Sequence, residues 1–186
     1  MDHKLKTYHD LLLKWQKTIN LISPTTIDHA WERHFEDSIQ LNDYIPEGTK
    51  TICDIGSGAG FPGLVLAILN PDIEFYLIES DTRKCAFLKN VSRETSCENV
   101  VIHNDRIENK IGDIKADLIT ARALASLRSL IDYGYPHHQN YLLLKGKNWQ
   151  DEISEAEKKY AFDVQDLSSK TDDYARILIV GNIAQK

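Results

Sequence analysis

The chain has 186 residues and a mass of 21.3 kDa, a size at which a single domain that buries roughly 70% of its unfolded surface is the default. Its 42% hydrophobic and 27% charged residues are typical of a folded globular protein, and no apolar run has the length of a membrane span. The net charge of −6 argues against a protein that coats nucleic acid by bulk electrostatics, although a dedicated RNA site needs only a few cationic contacts.

The N-terminal region is predicted to be helical. Apolar residues at steps of three and four predict an amphipathic helix from about residue 3 to Ile19, and Ser23 or Thr25 is a candidate cap for a second helix that runs to about Leu41. On that second helix Arg33 and His34 either pack on the core or face a substrate. We expect residues 1–44 to form a helical extension and residues 45–186 to form an α/β core within one domain.

Two further expectations come from what the sequence lacks. The first residues contain neither an uninterrupted apolar core nor a cleavage site, which favours a cytoplasmic protein. The three cysteines are scattered and have no C-x-x-C spacing, so neither a disulfide framework nor a metal site is expected.

A glycine-rich stretch is the strongest signal in the chain. Ile52, Cys53 and Ile55 read as a short buried strand, Gly56 to Gly60 as a tight turn, and Pro62 as an early position of the next helix. The turn formally contains G-x-G-x-x-G, which occurs in dinucleotide-binding proteins. Asp54, at the strand tip, places a negative charge where a pyrophosphate would lie, and it therefore favours a cationic ligand without phosphate, such as S-adenosylmethionine.

A second acid follows at the distance expected for a ribose ligand. Ile73–Ile78 reads as the second strand, and Glu79 at its end can accept hydrogen bonds from both ribose hydroxyls.

The elements after Glu79 continue the alternation of strand and helix. Asp81 is a candidate cap for the helix that follows strand two. Strand three is predicted at 99–102, and the turn that contains Asp105 to Glu108 follows it. Strands that alternate with helices predict a mostly parallel sheet whose carboxyl edge binds the ligand.

The fourth strand, at 116–121, brings Arg122 to the same edge. Many enzymes that methylate base amino groups carry [DN]-P-P-[YF] at this place, and carbon-5 pyrimidine enzymes need a cysteine. The chain has neither at this position. A ring nitrogen needs neither group, because it has a free lone pair and no proton to remove.

Strand five, Tyr141–Lys145, is followed by a charged helix at 151–159 and a closing antiparallel hairpin at 161–167 and 175–180, with a short tail from Gly181.

Four segments together resemble the RsmG/GidB family of bacterial methyltransferases, and the resemblance covers nearly the whole chain. They are Asp54–Gly63, Arg33–Ser38, Arg122–Ser126 and Leu144–Gly146. The resemblance implies a Rossmann-like class I methyltransferase fold that uses S-adenosylmethionine. It also implies that the methyl acceptor is N7 of a guanine in the 530 loop of 16S ribosomal RNA, within naked RNA, the small subunit or its assembly intermediate. We expect a monomer that does not associate with a membrane.

The resemblance also implies roles for individual residues. Those expected to bind the cofactor are Asp54, Gly56, Gly58, Phe61, Glu79, Ile107, Glu108 and Arg122. Arg106, Arg122 and Lys145 are the expected catalytic residues, with Arg106 and Lys145 assigned to RNA phosphates or guanine O6. Arg33, His34, Lys145 and Lys147 are expected to bind RNA.

Two other functions remain open at this point. The formal G-x-G-x-x-G allows a nicotinamide-dependent oxidoreductase, although Asp54 argues against it. A methyltransferase-like fold that has lost its chemistry and only binds RNA is the second alternative. The intact glycine turn, Asp54 and Glu79 argue against that loss.

Overall fold

The first helix follows the predicted apolar pattern. The computed structural model describes residues 3–186, so Met1 and Asp2 of the predicted extension lie outside it. Helix α1 (His3–Gln16) buries Leu5, Tyr8 and Leu12, as an amphipathic helix should. It ends at Gln16 rather than near Ile19, because the Gln16 amide binds the backbone of the returning chain: its oxygen accepts from the N–H of Leu21, and its nitrogen donates to the carbonyl of Ile22.

The predicted second helix is a series of four short helical segments. A 3₁₀ helix (Pro24–His29) is followed by a π-helix (Trp31–Glu36), by α2 (Asp37–Ile39) and by a second 3₁₀ helix (Gln40–Tyr44). The Ser23 side chain does not cap the series; its hydroxyl pairs with that of Thr25 at 2.9 Å. Each segment has only three to six residues, which is too short for the spacing of apolar residues to separate these helix types.

A seven-stranded sheet forms the centre of the molecule, as predicted. Its order is β3-β2-β1-β4-β5-β7-β6, with β1 to β5 parallel and with β7 antiparallel to both of its neighbours. The strands are β1 (Thr51–Ile55), β2 (Glu74–Glu79), β3 (Val100–Asn104), β4 (Leu118–Arg122), β5 (Tyr141–Lys145), β6 (Tyr160–Ser168) and β7 (Arg176–Gln185).

Helices cover both faces of the sheet. They are α3 (Gly63–Leu69), α4 (Thr82–Glu94), α5 (Ile107–Lys110), α6 (Leu127–Gly134) and α7 (Trp149–Glu157). One buried cluster joins α1, α3 and α4 through residues such as Leu12, Leu64 and Phe87, and a second joins α6 and α7 through residues such as Leu130 and Ala156. The predicted cap of α4 is confirmed, since the Asp81 carboxylate accepts from two N–H groups of the first turn.

Several element boundaries differ from those predicted. The chain from Gly181 to Gln185 belongs to β7 and pairs with β6 rather than forming a tail. The turn after β3 becomes helical at Ile107, and β4 includes Arg122 itself. Strand and helix ends depend on contacts with neighbouring elements, and the local sequence does not contain that information.

The topology places the site at the carboxyl edge of the sheet. β1 lies between β2 and β4, and the connections leave it in opposite directions, which creates the crevice where α/β proteins bind ligands. No helix within residues 3–186 is long and apolar enough to cross a membrane. The assignment of residues 1–44 and 45–186 to one domain stays a prediction, although α1 packs directly on the core.

Candidate active site

A glycine loop after β1 forms one wall of the candidate site. The N–H groups of Gly56 and Ser57 donate to the carbonyl of Ile78 at 2.9 and 3.1 Å, and these bonds hold the loop against the neighbouring strand. Gly56 has a φ of +66°, and a Cβ there would lie 2.6 Å from Leu124. The positive φ therefore favours glycine at this position, and the predicted tight turn is confirmed.

Tyr8 connects the N-terminal extension to this loop. Its side chain is fully buried, and its hydroxyl donates a short hydrogen bond to the carbonyl of Ala59. The ring stacks on Phe61 at 5.4 Å between centroids, with the ring planes 9° apart. Burial raises the pKa of the Tyr8 hydroxyl well above its ordinary value, so it remains a donor. The sequence identifies Tyr8 only as a member of an apolar stripe.

The loop, β2 and α5 enclose a cavity of about 530 Å³, here called the first cavity. Its volume lies within the range of about 300–1,000 Å³ typical of small-molecule sites. The predicted cofactor residues that line it are Gly56, Gly58, Phe61, Glu79, Ile107, Glu108 and Arg122. The structure also adds residues that the sequence did not single out, among them Leu21, Lys84 and Leu124.

Glu79 is the best-placed polar group in the first cavity. One carboxylate oxygen accepts from the Gly58 N–H at 2.8 Å and the other from the Asp81 N–H at 2.7 Å. These two bonds hold the carboxylate rigidly and leave lone pairs on both oxygens for further donors. The geometry suits a ligand with two neighbouring hydroxyls, such as a ribose.

Asp54 lies beneath the loop and does not line the first cavity, which differs from the expectation that it binds the cofactor directly. Its side chain is fully buried, and neither carboxylate oxygen has a hydrogen-bond partner of normal geometry among residues 3–186. A Cβ on Gly63 would lie 2.6 Å from Asp54 Oδ2, so the carboxyl packs against the start of α3. Burial raises the pKa of Asp54 to about 7.

The segment after β3 completes the first cavity. Asp105, Arg106, Ile107 and Glu108 all line it, as expected for Ile107 and Glu108. Arg106 is exposed and lines the first cavity beside these cofactor candidates. Its role as a residue that contacts RNA stays a prediction, and the structure places it closer to the cofactor side.

Arg122, at the tip of β4, separates the first cavity from a second one and lines both. Its guanidinium donates to the carbonyl of Arg33 at 3.0 Å and to Nδ1 of His34 at 2.8 Å, and it lies 3.4 Å from the Asp37 carboxylate. It also lies over the Phe61 ring, 5.1 Å from the centroid. These contacts fix one planar, charged group at the junction of the cavities.

His34 is a buried member of this network, and its expected contact with RNA stays a prediction. Since an arginine can only donate, Nδ1 of His34 must accept, and Nε2 carries the proton that is donated to Thr26 Oγ1 at 2.8 Å. Burial, together with the charges of Arg122 and Arg33, lowers the pKa of His34 to about 3, so the ring is neutral. The expectation that it binds RNA did not anticipate this burial.

The second cavity has a volume of about 420 Å³. It is lined by Thr26, Arg33, His34, Asp37, Arg122–Ala125, Leu144–Gly146 and Glu152. Lys145 is only 6% exposed, and its ammonium lies 2.6 Å from both the Ala125 carbonyl and the Glu152 carboxylate. Its burial disfavours the expected contact with an RNA phosphate and leaves the expected contact with a base within reach.

Two cations remain available at the surface near the second cavity. Arg33 is half-exposed, lines the cavity and forms an ion pair with Asp172 at 3.0 Å. Lys147 is exposed in the turn after β5. Their expected contacts with RNA stay predictions. Within residues 3–186 no group of three His, Cys, Asp or Glu side chains could hold a metal ion.

Replacing Glu79 by alanine should weaken the binding of S-adenosylhomocysteine about 10- to 150-fold, because the ribose loses a charged acceptor worth about 1.5–3 kcal/mol. The same change removes an acceptor of the Gly58 N–H, so the loop loosens as well. Calorimetric titration measures the affinity. Glu74→Ala, at the exposed start of the same strand, is the matched control and should bind normally. A change in affinity of less than about twofold for Glu79→Ala would show that Glu79 is a loop acid that does not bind the ribose.

Solved structures share the fold at low sequence identity. One is the fibrillarin/Nop5p complex, with a TM-score of 0.62, 13% identity and 81% of each chain covered. Another is M. capricolum TrmK in complex with S-adenosylhomocysteine, with a TM-score of 0.59, 14% identity, and 78% of this chain and 66% of that chain covered. The sheet order and these likenesses define the class of fold as the Rossmann-like fold found in methyltransferases, which confirms the fold prediction.

Sequence comparison identifies the family. The model of GidB, rRNA small subunit methyltransferase G, matches residues 1–177. Curated relatives named ribosomal RNA small subunit methyltransferase G are 42% identical in Paramagnetospirillum magneticum, over 98% of this chain and 89% of the relative, and 45% identical in Orientia tsutsugamushi strain Ikeda, over 95% and 88%. The chain therefore belongs to the rRNA small subunit methyltransferase G family, and the resemblance found in the sequence is confirmed.

Proposed function

We propose that this protein transfers the methyl group of S-adenosylmethionine to N7 of a guanine in the 530 loop of 16S ribosomal RNA. The observation that carries the proposal is the meeting of two cavities at Arg122, one suited to the cofactor and one open to a base, in a chain that matches its family over residues 1–177. The substrate is the RNA itself, the small subunit or an assembly intermediate. The protein acts as a cytoplasmic monomer.

The first cavity holds the cofactor, which supplies an electrophilic methyl group. Glu79 accepts the ribose hydroxyls, and Ile107 and Glu108 border the adenine. Gly56 and Gly58 allow the close approach of the backbone, while Phe61 and Arg122 form the end next to the second cavity. Asp54 contributes from beneath the loop by its charge rather than by direct contact.

N7 as the acceptor agrees with the groups that the second cavity contains. N7 of guanine has a lone pair and no proton, so the protein needs no general base. No cysteine lines either cavity among the described residues, and the tip of β4 reads Thr120-Ala-Arg-Ala123. The residues of this chain therefore have to orient the base, exclude water and hold N7 in line with the methyl donor.

RNA contacts are assigned to the cationic groups around the second cavity. Arg33 and Lys147 are exposed and can meet phosphates. Arg106 stays a candidate at the edge of the first cavity. Lys145 is assigned to the base, since its ammonium is buried, and His34 is assigned to holding Arg122.

The test is to incubate the protein and labelled S-adenosylmethionine with 16S RNA or with small subunits that lack the modification. Nuclease fragments of the RNA are then analysed by mass spectrometry to locate the methyl group. We expect 7-methylguanosine in the fragment that contains the 530 loop. A methyl group on another atom, or no transfer, would refute the proposal, and the second outcome would favour the RNA-binding protein without chemistry. A thermal shift with S-adenosylhomocysteine and none with NAD excludes the oxidoreductase alternative.

A further inference from the structure

The second cavity is lined by two carboxylates that differ in how many of their oxygens have hydrogen-bond or ion-pair partners. Asp37 is fully engaged: one oxygen accepts from Gln40 and Thr171 at 3.0 and 2.7 Å, and the other faces Arg122. Glu152 uses one oxygen, Oε2, which accepts from the Leu127 N–H at 2.8 Å and lies 2.6 Å from Lys145 Nζ. Its other oxygen, Oε1, has no partner among residues 3–186. Glu152 is thus an anchored acid with a free acceptor in the cavity.

The anchoring of Glu152 is unusual for an acid on a charged helix. It lies in the first turn of α7, yet its side chain is only 23% exposed and reaches across to the first turn of α6. Lys145, which forms an ion pair with it, also donates to the Ala125 carbonyl, and its ammonium group has three hydrogens to donate. The pair therefore presents an acceptor next to a donor.

Of the two purines, that pattern matches guanine. Guanine carries a donor at N1, a second donor at the 2-amino group and an acceptor at O6, side by side on its Watson–Crick edge. Adenine reverses the order, since its N1 is an acceptor and its N6 a donor, and its N1 lone pair would face the carboxylate. When N7 points toward the first cavity, the N1 and N2 side of the ring points away from it. Glu152 lines only the second cavity.

We infer that Glu152 is the residue that selects guanine, with Oε1 accepting from N1–H and the 2-amino group while Lys145 donates to O6. The inference rests on the proposed function, because it requires a base in the second cavity. It differs from a purely structural role, in which Glu152 only caps α6 and neutralises Lys145. A structural role predicts no dependence on the 2-amino group of the substrate.

The test compares RNA that carries guanosine at the target with RNA that carries inosine, which lacks the 2-amino group. For the unaltered protein kcat/KM should fall about 10- to 100-fold on inosine, the effect of losing a hydrogen bond to a charged group. Glu152→Gln should lower kcat/KM on guanosine by a similar factor and should methylate both RNAs at nearly equal rates. Its affinity for S-adenosylhomocysteine should be unchanged.

Glu155→Gln is the matched control. Glu155 lies on the same helix and pairs with Arg128 at 2.9 Å on the surface, so this variant should keep both the rate and the preference for guanosine. Equal rates of the unaltered protein on both RNAs would overturn the inference, and this measurement needs no variant. A Glu152→Gln protein that is slow but keeps the full preference would also overturn it. Failure to methylate guanosine RNA at all would instead refute the proposed function, and the inference with it.

Discussion

Arg122→Ala should lower kcat/KM for methylation of small subunits by at least about 100-fold, because it removes the group that fixes both cavities relative to each other. The change leaves Oδ2 of Asp37 and Nδ1 of His34 without the donor that Arg122 supplies. We expect the free energy of unfolding to fall by about 2–4 kcal/mol, as for other partly buried charges that lose their partner. Single-turnover rates and urea titrations measure the two effects.

Two variants separate the geometry of Arg122 from its charge. Arg122→Lys keeps the charge but cannot bind the Arg33 carbonyl, His34 and Asp37 at once, so it should recover little of the activity. Arg128→Ala, at a half-exposed arginine on α6, should behave as the unaltered protein. An Arg122→Ala protein that keeps more than a tenth of the normal rate would show that this network only stabilises the fold.

Asp54→Asn should remove a large pH dependence of stability. The folded protein binds a proton at Asp54 with a pKa of about 7, whereas the unfolded chain does so near 4. The native state therefore holds the proton more tightly, and stability falls as the pH rises from about 4 to about 7, by about 2–4 kcal/mol. Urea unfolding midpoints at pH 5, 6, 7 and 8 should fall in the unaltered protein and stay nearly level in Asp54→Asn.

Cofactor binding provides a second measurement on the same pair of proteins. If the ammonium group of the cofactor favours the Asp54 carboxylate, affinity for S-adenosylhomocysteine should rise between pH 6 and 8 in the unaltered protein and stay flat in Asp54→Asn. Asp105→Asn, at an exposed acid of the first cavity, is the matched control. Parallel pH profiles for all three proteins would contradict a charge role for Asp54.

The sequence predicted those features that depend on local patterns. The strand, glycine turn and helix around Gly56 follow from positions that need a positive φ, and the place of Glu79 follows from the end of a short apolar strand. The parallel order of β1 to β5 follows from the alternation of strands and helices. Each of these depends on residues close together in the chain.

The missed features depend on residues far apart. Tyr8 reaches Ala59, and Arg122 reaches His34, 88 positions earlier in the chain. The burial of His34, Asp54 and Lys145 follows from such contacts, and burial decides whether a charged or basic group meets solvent, RNA or the protein itself. The anchoring of Glu152 by Leu127 and Lys145 also depends on the packing of α7 against α6 and β5, and the local sequence does not contain that information.

The turn between β6 and β7 ties the last elements of the chain to the first. The N–H of Lys170 donates to Gln40 at 2.8 Å, the Thr171 hydroxyl to Asp37 at 2.7 Å, and Arg33 to Asp172 at 3.0 Å. Residues that hold Arg122 are therefore themselves held by a turn that follows all five parallel strands in the chain. Local opening of this turn would release Arg33 and Asp37 from their partners, so it would also loosen the junction between the two cavities.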